Sequence, residues 1–307
     1  MLSSGGQQSH VVTWHESIDR FEALLNERER RAGLPPEQRK IVNFPWEIWN
    51  KYILALTPGT GLMVAAPPNT GKTIFLEEIA EHQARSGLQV AFFQFELDEE
   101  DMGERRTSRW TGVHRPVLQG QMSEAYREHI RDTGTALKGW NGGVNYVYCP
   151  GWTAEKLTAE ALAMCNAGLC DVLIIDYHQK IQPTEGQKRF YRDEYKVEAN
   201  NMEIIKTFAQ RQRIPYIVAS QMTKEAHDLN IKEVSNRSIR GAGELSEKVN
   251  IVLIALPEVV DGRYTGIVNV KITKNKGPKL MFRQRMIGPL YMMDRNWADD
   301  PEPPPSN

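Results

Sequence analysis

Gly71, Lys72 and Thr73 sit side by side at the end of "APPNTGKT" (66–73), between the apolar run "GLMVAA" (61–66) and a helical pattern near 73–86. Each residue type suits one part of a triphosphate. Glycine lets backbone N–H groups curl round phosphate, lysine reaches the terminal phosphates, and a hydroxyl ligates magnesium. A helix start adds unsatisfied N–H groups and a dipole that favours negative charge. Ala66, Pro68, Asn69, Thr70, Gly71, Lys72 and Thr73 are therefore assigned to ATP, although Ala66 stands where the usual pattern has its first glycine.

Three further polar residues close apolar runs. Asp176 ends "VLIID" (172–176) and is assigned, with Thr73, to Mg2+. Glu96 ends "LQVAFFQFE" (88–96); its apolar lead-in sets it apart from the acids at 98–101, which fit a solvated first helical turn. It is the expected base that orients water. Gln221 closes "IPYIVASQ" (214–221) and is read as a γ-phosphate sensor, or else as a plain polar residue at a strand end.

The elements that must position these residues follow from periodicity. Apolar runs at 61–66, 88–96, 144–149, 171–176, 214–221 and 250–256 alternate with helical patterns near 73–86, 98–111, 121–138, 154–168, 195–212 and 243–249. That alternation predicts a mostly parallel sheet covered by helices on both faces. After Leu256 paired runs, "TGIVNVKITKN" and "LMFRQRMI", predict an antiparallel extension. Upstream, Thr13 and Glu16 suit a capping box, with Ile18, Phe21, Leu24 and Leu25 on one helical face. "RERRAGLPP" stops that helix, which either folds back on its own domain or docks on a neighbouring subunit. The expected division is a mobile segment 1–12, linker helix and connector 13–50, the catalytic domain 51–297, and a disordered, acidic, proline-rich tail 298–307.

Composition excludes several classes. Over 307 residues the net charge is −1, so nucleic acid must be met by local patches rather than an overall field. No apolar stretch is long enough to span a bilayer and "MLSSGGQQSH" lacks a signal-peptide layout, so a cytoplasmic protein with no membrane partner is expected. Cys149, Cys165 and Cys170 lack zinc spacing and read as reduced core thiols. "ERRTSRW" (104–110) reads as an exposed helix face.

Taken together, from the helix at 13–32 to about Met286, these segments resemble the C-terminal motor domain of DnaB-type replicative helicases, within the RecA-like P-loop ATPases. Members read A-x-P-x-x-G-K-T, which accounts for Ala66 and Pro68. "FELDEEDMGERR" resembles their segment bearing the catalytic glutamate, "LIIDYHQKI" their magnesium-binding strand and "IPYIVASQMTKEA" their sensor strand. "SIRGAGELSEKVNIVLI" is similar to their loop and helix entering the next core strand. "KITKNKGP" is similar to the strand whose cations enter a neighbour's active site. There Lys274 and Lys276 stand for the family's finger arginine, one residue short of the usual spacing to Gly277-Pro278, in a pair more like that of RecA filaments. The amino-terminal domain through which bacterial members engage primase has no counterpart here, which argues against primase coupling. Gly241 stands where helicases often carry an acid.

The resemblance implies a ring-forming helicase or translocase on single-stranded DNA, a homo-oligomer expected to be hexameric. Its host would be bacterial, plasmid or phage, with replication or mobile-element proteins as further partners. The alternative is a RecA-like switch or filament protein without processive unwinding. Two segments are assigned to DNA: the loop "QKIQPTEGQKRFYRDEY", with Lys188, Arg189 and Arg192, and "SNRSIRGAG", with Arg237, Arg240, Gly241 and Gly243. Arginine among small residues suits backbone tracking without base reading. Solvated loops with scattered charge remain the plainer alternative.

Overall fold

The computed structural model describes residues 14–32, 40–226 and 229–298, in two units divided between Arg39 and Lys40. In the first unit, α1 (Trp14–Ala32) carries exposed Ile18, Phe21 and Leu25. The expected Thr13 cap, the segment 1–12 and the tail beyond Ala298 lie outside the described residues.

The second unit begins earlier than the sequence reading placed it. Its first helix, α2 (Glu47–Tyr52), lies in the stretch assigned to a connector, yet Phe44, Trp46 and Trp49 are buried. Trp49 packs with its ring centroid 4.6 Å from Trp46, 5.4 Å from Phe75 and 6.1 Å from Phe282. Aromatic pairs of this kind add about 0.5–1.5 kcal/mol beyond the area they bury. The connector from Lys40 onward is therefore part of the core.

The remaining elements follow in order: β1 (Gly61–Ala66), α3 (Lys72–Arg85), β2 (Gln89–Gln94), α4 (Glu99–Thr111), α5 (Arg115–Leu118), α6 (Glu124–Lys138), β3 (Gly143–Tyr148), α7 (Ala154–Asn166) and β4 (Val172–Asp176). Then come α8 (Glu185–Phe190), α9 (Glu194–Gln212), β5 (Tyr216–Gln221), α10 (Ala242–Glu247), β6 (Ile251–Val260), β7 (Arg263–Lys274), β8 (Met281–Ile287) and β9 (Met292–Ala298). Helix starts obey their side chains: Asp98, Ser123, Thr153 and Thr184 each accept a backbone N–H of the first turn.

The described strands form one sheet in the order β3-β2-β4-β5-β1-β6-β7-β8-β9, parallel as far as β6 and antiparallel beyond it. Side chains alternate across it. From β1, Leu62, Val64 and Ala66 join the core under α2 and α3, while Met63 and Ala65 join the one under α7 and α9. This two-faced burial explains why the strands read as continuous apolar runs. Two expectations needed correction. The segment 185–190, read as loop, is helical, stabilised by a Thr184–Gln187 capping box. The extension also holds one more strand, β9, ending at Ala298.

Candidate nucleotide and nucleic-acid sites

The loop from β1 to α3 turns on Asn69 and Gly71, both at positive φ. At Gly71, φ is +89°, where a side chain would be strained, and a Cβ would lie 2.9 Å from Met286 Sδ. Lys72 is 8% exposed, and its Nζ donates to the carbonyls of Ala66 (3.1 Å) and Pro67 (2.8 Å). Burial pulls this ammonium down to about 8, against the opposing pull of Asp176 and Glu96. Ala66 thus meets the lysine through its backbone.

β4 and β1 are not neighbours; β5 lies between them. Asp176 nevertheless reaches Thr73, whose hydroxyl donates to Oδ2 at 2.6 Å. Burial pushes the Asp176 carboxyl up, while hydrogen bonds from Thr73 and Gln94 hold it down. Gln94 fixes two groups at once: its Nε2 donates to Asp176 (3.3 Å) and its Oε1 accepts the N–H groups of Phe95 and Glu96. The Glu96 carboxylate accepts from Tyr177 Oη at 3.0 Å and pairs with Lys180 at 2.9 Å.

One cavity of about 350 Å³ brings together Pro68, Asn69, Gly71, Lys72, Thr73, Glu96, Asp176 and Gln221. Thr70 is buried beside it on the same loop. The donor set fits magnesium: a hydroxyl and a carboxylate, both hard oxygens, beside a phosphate cradle that supplies the remaining ligands. Among the described residues no cluster of three or more His, Cys, Asp and Glu is placed to hold a metal by itself.

The sequence reading missed part of this wall. Arg105, Tyr291 and Met286 line the same cavity, with the Arg105 guanidinium 5.1 Å from the Tyr291 ring centroid and its Nε buried without a hydrogen-bond partner. Residues 104–110 are therefore not simply an exposed face. Arg109 is buried, paired with Glu81 (2.6 Å) and Glu77 (3.0 Å) of α3, and donates to the Tyr291 carbonyl at 2.9 Å. Two glutamates a helical turn apart on α3 are the signal that could have found it. A larger cavity, about 480 Å³, is walled by Trp110, Trp140 and Tyr146 and lies away from the phosphate loop.

Lys274 and Lys276 separate. Lys274 Nζ donates to the carbonyls of Ser246 and Val249, both at 2.7 Å, where the end of α10 favours a cation. Lys276 is exposed. The first lysine is thus held by carbonyls of its own chain, while the second faces outward.

The two segments assigned to DNA converge. A cavity of about 400 Å³ is lined by Asp193, Tyr195 and Lys196 from one side and by Arg237 and Gly241 from the other. Arg237 is exposed, whereas Arg240 donates to Glu194 at 2.7 Å and lies 3.7 Å from Glu198, whose carboxyl burial pushes up to about 7. Gly241 opens α10 at φ +74°, with Gly243 in that helix's first turn. Arg189 and Arg192 are exposed and Lys188 pairs with Glu185. The backbone N–H of Arg240 donates to the Gln221 carbonyl at 3.2 Å, joining this face to the strand end in the nucleotide cavity.

A glycine-lysine-threonine loop and a buried carboxylate at the carboxyl ends of this parallel sheet define the fold of RecA-like P-loop domains. The chain is similar in fold to a solved ATPase domain (TM-score 0.77, 15% identity, 90% of this chain and 97% of that one). A second neighbour is a DnaB-like replicative helicase, solved in a study of its interactions with primase (TM-score 0.75, 15% identity, 94% of this chain and 68% of that one).

The chain belongs to the DnaB-like helicase C terminal domain family, whose model matches residues 47–284. Curated relatives include the replicative DNA helicase DnaB of Buchnera aphidicola subsp. Baizongia pistaciae (strain Bp), 23% identical over 77% of this chain and 52% of that protein. The DnaB of Pasteurella multocida (strain Pm70) is also 23% identical, over 92% and 60%. The chain thus spans between half and three fifths of the length of these relatives. No described helix is long and apolar enough to cross a membrane.

Proposed function

We propose that this protein is an ATP-driven DNA helicase that works as a homo-oligomeric ring on single-stranded DNA, with ATP bound at subunit interfaces. The observation that carries the reading is the contact of Thr73 with buried Asp176, beside buried Lys72, in a chain of this family. Lys72 exchanges two backbone carbonyls for the terminal phosphates. Thr73 and Asp176 hold Mg2+, which when bound neutralises charge developing on the phosphoryl oxygens. Glu96, steadied by Tyr177 and Lys180, accepts the proton of the attacking water at its carboxylate. Lys276 of one subunit completes the neighbour's pocket, a contribution worth roughly 10³–10⁵ in rate where such cations act in other phosphoryl transfers.

Gln221 reports the γ-phosphate to Arg237 and Arg240 through the Arg240 backbone. Arg189 and Arg192 add phosphate contacts, each phosphate steepening the salt dependence by about 0.7 log units per decade. A hexamer, a cytoplasmic site of action, an origin in a bacterium, plasmid or phage, and replication or mobile-element partners complete the reading. Unwinding of a forked duplex under magnesium-ATP is the test. Opening by the parent protein and none by Lys72→Ala supports it; an assembled parent that leaves the fork closed refutes it.

A further inference from the structure

Phe190 is 80% exposed, more than any other large apolar side chain described in the ATPase unit. Such a ring offers a flat, uncovered π face to a ligand. This ring is fixed. It ends α8, whose Thr184–Gln187 box closes both the start of the helix and the chain entering it. Gln187 is buried and its Nε2 donates to Asn200 and Asn201 of α9, both at 2.8 Å. Asn201 in turn donates to the Ile181 carbonyl, so α8 is tied at both ends of its approach. Tyr191 backs the ring edge-on, with centroids 4.9 Å apart and planes at 86°, and its N–H donates to the Gln187 carbonyl at 2.8 Å.

The surroundings say what the occupant is. Arg189 precedes the ring, Arg192 follows Tyr191, and both are exposed. An apolar plane between cations suits a strand whose phosphates meet the arginines while a base covers the ring. We infer that Phe190 is a base-stacking platform, a contact to the heterocycles of single-stranded DNA in addition to the backbone contacts of Arg189 and Arg192. The inference rests on the DNA-binding reading given above. Stacking is indifferent to base identity, so the platform adds affinity without sequence preference.

The test compares oligo-dT with an abasic sugar-phosphate oligomer of equal length, by fluorescence anisotropy at one salt concentration with magnesium and a non-hydrolysable ATP analogue. Parent protein is expected to prefer oligo-dT at least about fivefold, the low end of what one stacked base contributes. Phe190→Ala should bring oligo-dT down to the abasic level, and Phe190→Tyr should restore the preference. Equal binding of both oligomers by the parent overturns the platform while leaving DNA binding intact. Equal loss on both in Phe190→Ala, with a fall in native mass, overturns it in favour of a subunit contact. Binding of neither oligomer overturns the DNA reading and the platform with it.

Discussion

Lys72 should make nucleotide binding take up a proton. Its ammonium is 8% exposed, satisfied only by two backbone carbonyls, and lowered to about 8 by burial. A triphosphate replaces those carbonyls with anionic oxygens, which favour the charged form and raise the value again. The sign follows. Below about pH 7 the lysine is charged before and after binding, and no proton moves. Above pH 8 the free site is mostly neutral and must gain a proton to bind. Affinity then falls by a factor of 1 + 10^(pH − 8), which is roughly twofold at pH 8 and elevenfold at pH 9.

Calorimetry in buffers of different ionisation enthalpy measures the uptake directly. Between pH 7.5 and 9.5 the nucleotide's own phosphates are already ionised, so the signal belongs to the protein. Uptake should rise from about a quarter of a proton at pH 7.5 to about nine tenths at pH 9, following the same titration. Lys72→Arg, whose guanidinium stays charged throughout, should abolish the uptake. No uptake by the parent across the whole range refutes the reasoning, because it means the buried amine never loses its charge.

Three further variants test the scaffold and the shared pocket. Arg109→Met strands Glu77 and Glu81 in the core, which should cost about 3–5 kcal/mol in urea denaturation. Burial already holds the Glu77 carboxyl above its ordinary value, so its contribution is greatest in acid and is lost as pH rises. The variant's deficit should therefore shrink as pH is lowered from 7 towards 5, and a pH-independent deficit contradicts the assignment. Lys276→Ala should slow ATP turnover by roughly 10³ or more at unchanged native mass and stability. Lys274→Ala should instead lower stability by about 1 kcal/mol, through lost hydrogen bonds at the end of α10. Turnover by Lys276→Ala at the parent rate removes the shared pocket.

The sequence displayed the sheet because its central parallel strands are buried on both faces and read as near-continuous apolar runs, whereas edge strand β3 is only partly buried and carries Asn145. Asp176 and Gln221 stand out as polar residues that end their strands, whereas the second run was read as far as Glu96 although β2 stops at Gln94. The short helices α2 and α8 were not legible. Neither is long enough to show a repeat, and α2 is held by tertiary packing of Trp46 and Trp49. Arg105 and Arg109 were misplaced for a related reason: charge normally marks a solvated face, and only the glutamates facing Arg109 across α3 make its burial tolerable. Lys274 and Lys276 look equivalent in sequence. The carbonyls that claim Lys274 belong to a segment some 25 residues earlier, which spacing cannot reveal.

The residues at the end of β4 connect the two candidate sites by hydrogen bonds. Asp176 turns toward Thr73, while His178 and Gln179, directly beyond Tyr177, turn toward β5: His178 Nε2 lies 3.1 Å from Ser220 Oγ and Gln179 donates to the same oxygen at 2.9 Å. The Gln179 carboxamide oxygen also accepts the Gln221 N–H, and the Gln221 carbonyl accepts from Arg240. The nucleotide side of this junction is charged, whereas the connecting side is neutral. Burial holds His178 down to about 3, so it carries no charge at physiological pH. On the proposed reading, such a neutral, hydrogen-bonded link competes with neither the nucleotide nor the DNA strand and is barely screened by salt. A shift of the Gln221 end must move the Arg240 backbone or break a bond, since packed interiors answer small displacements by switching contacts rather than by stretching. Coupling through this route should therefore persist at salt concentrations that weaken the phosphate contacts themselves, because the two depend on different physics.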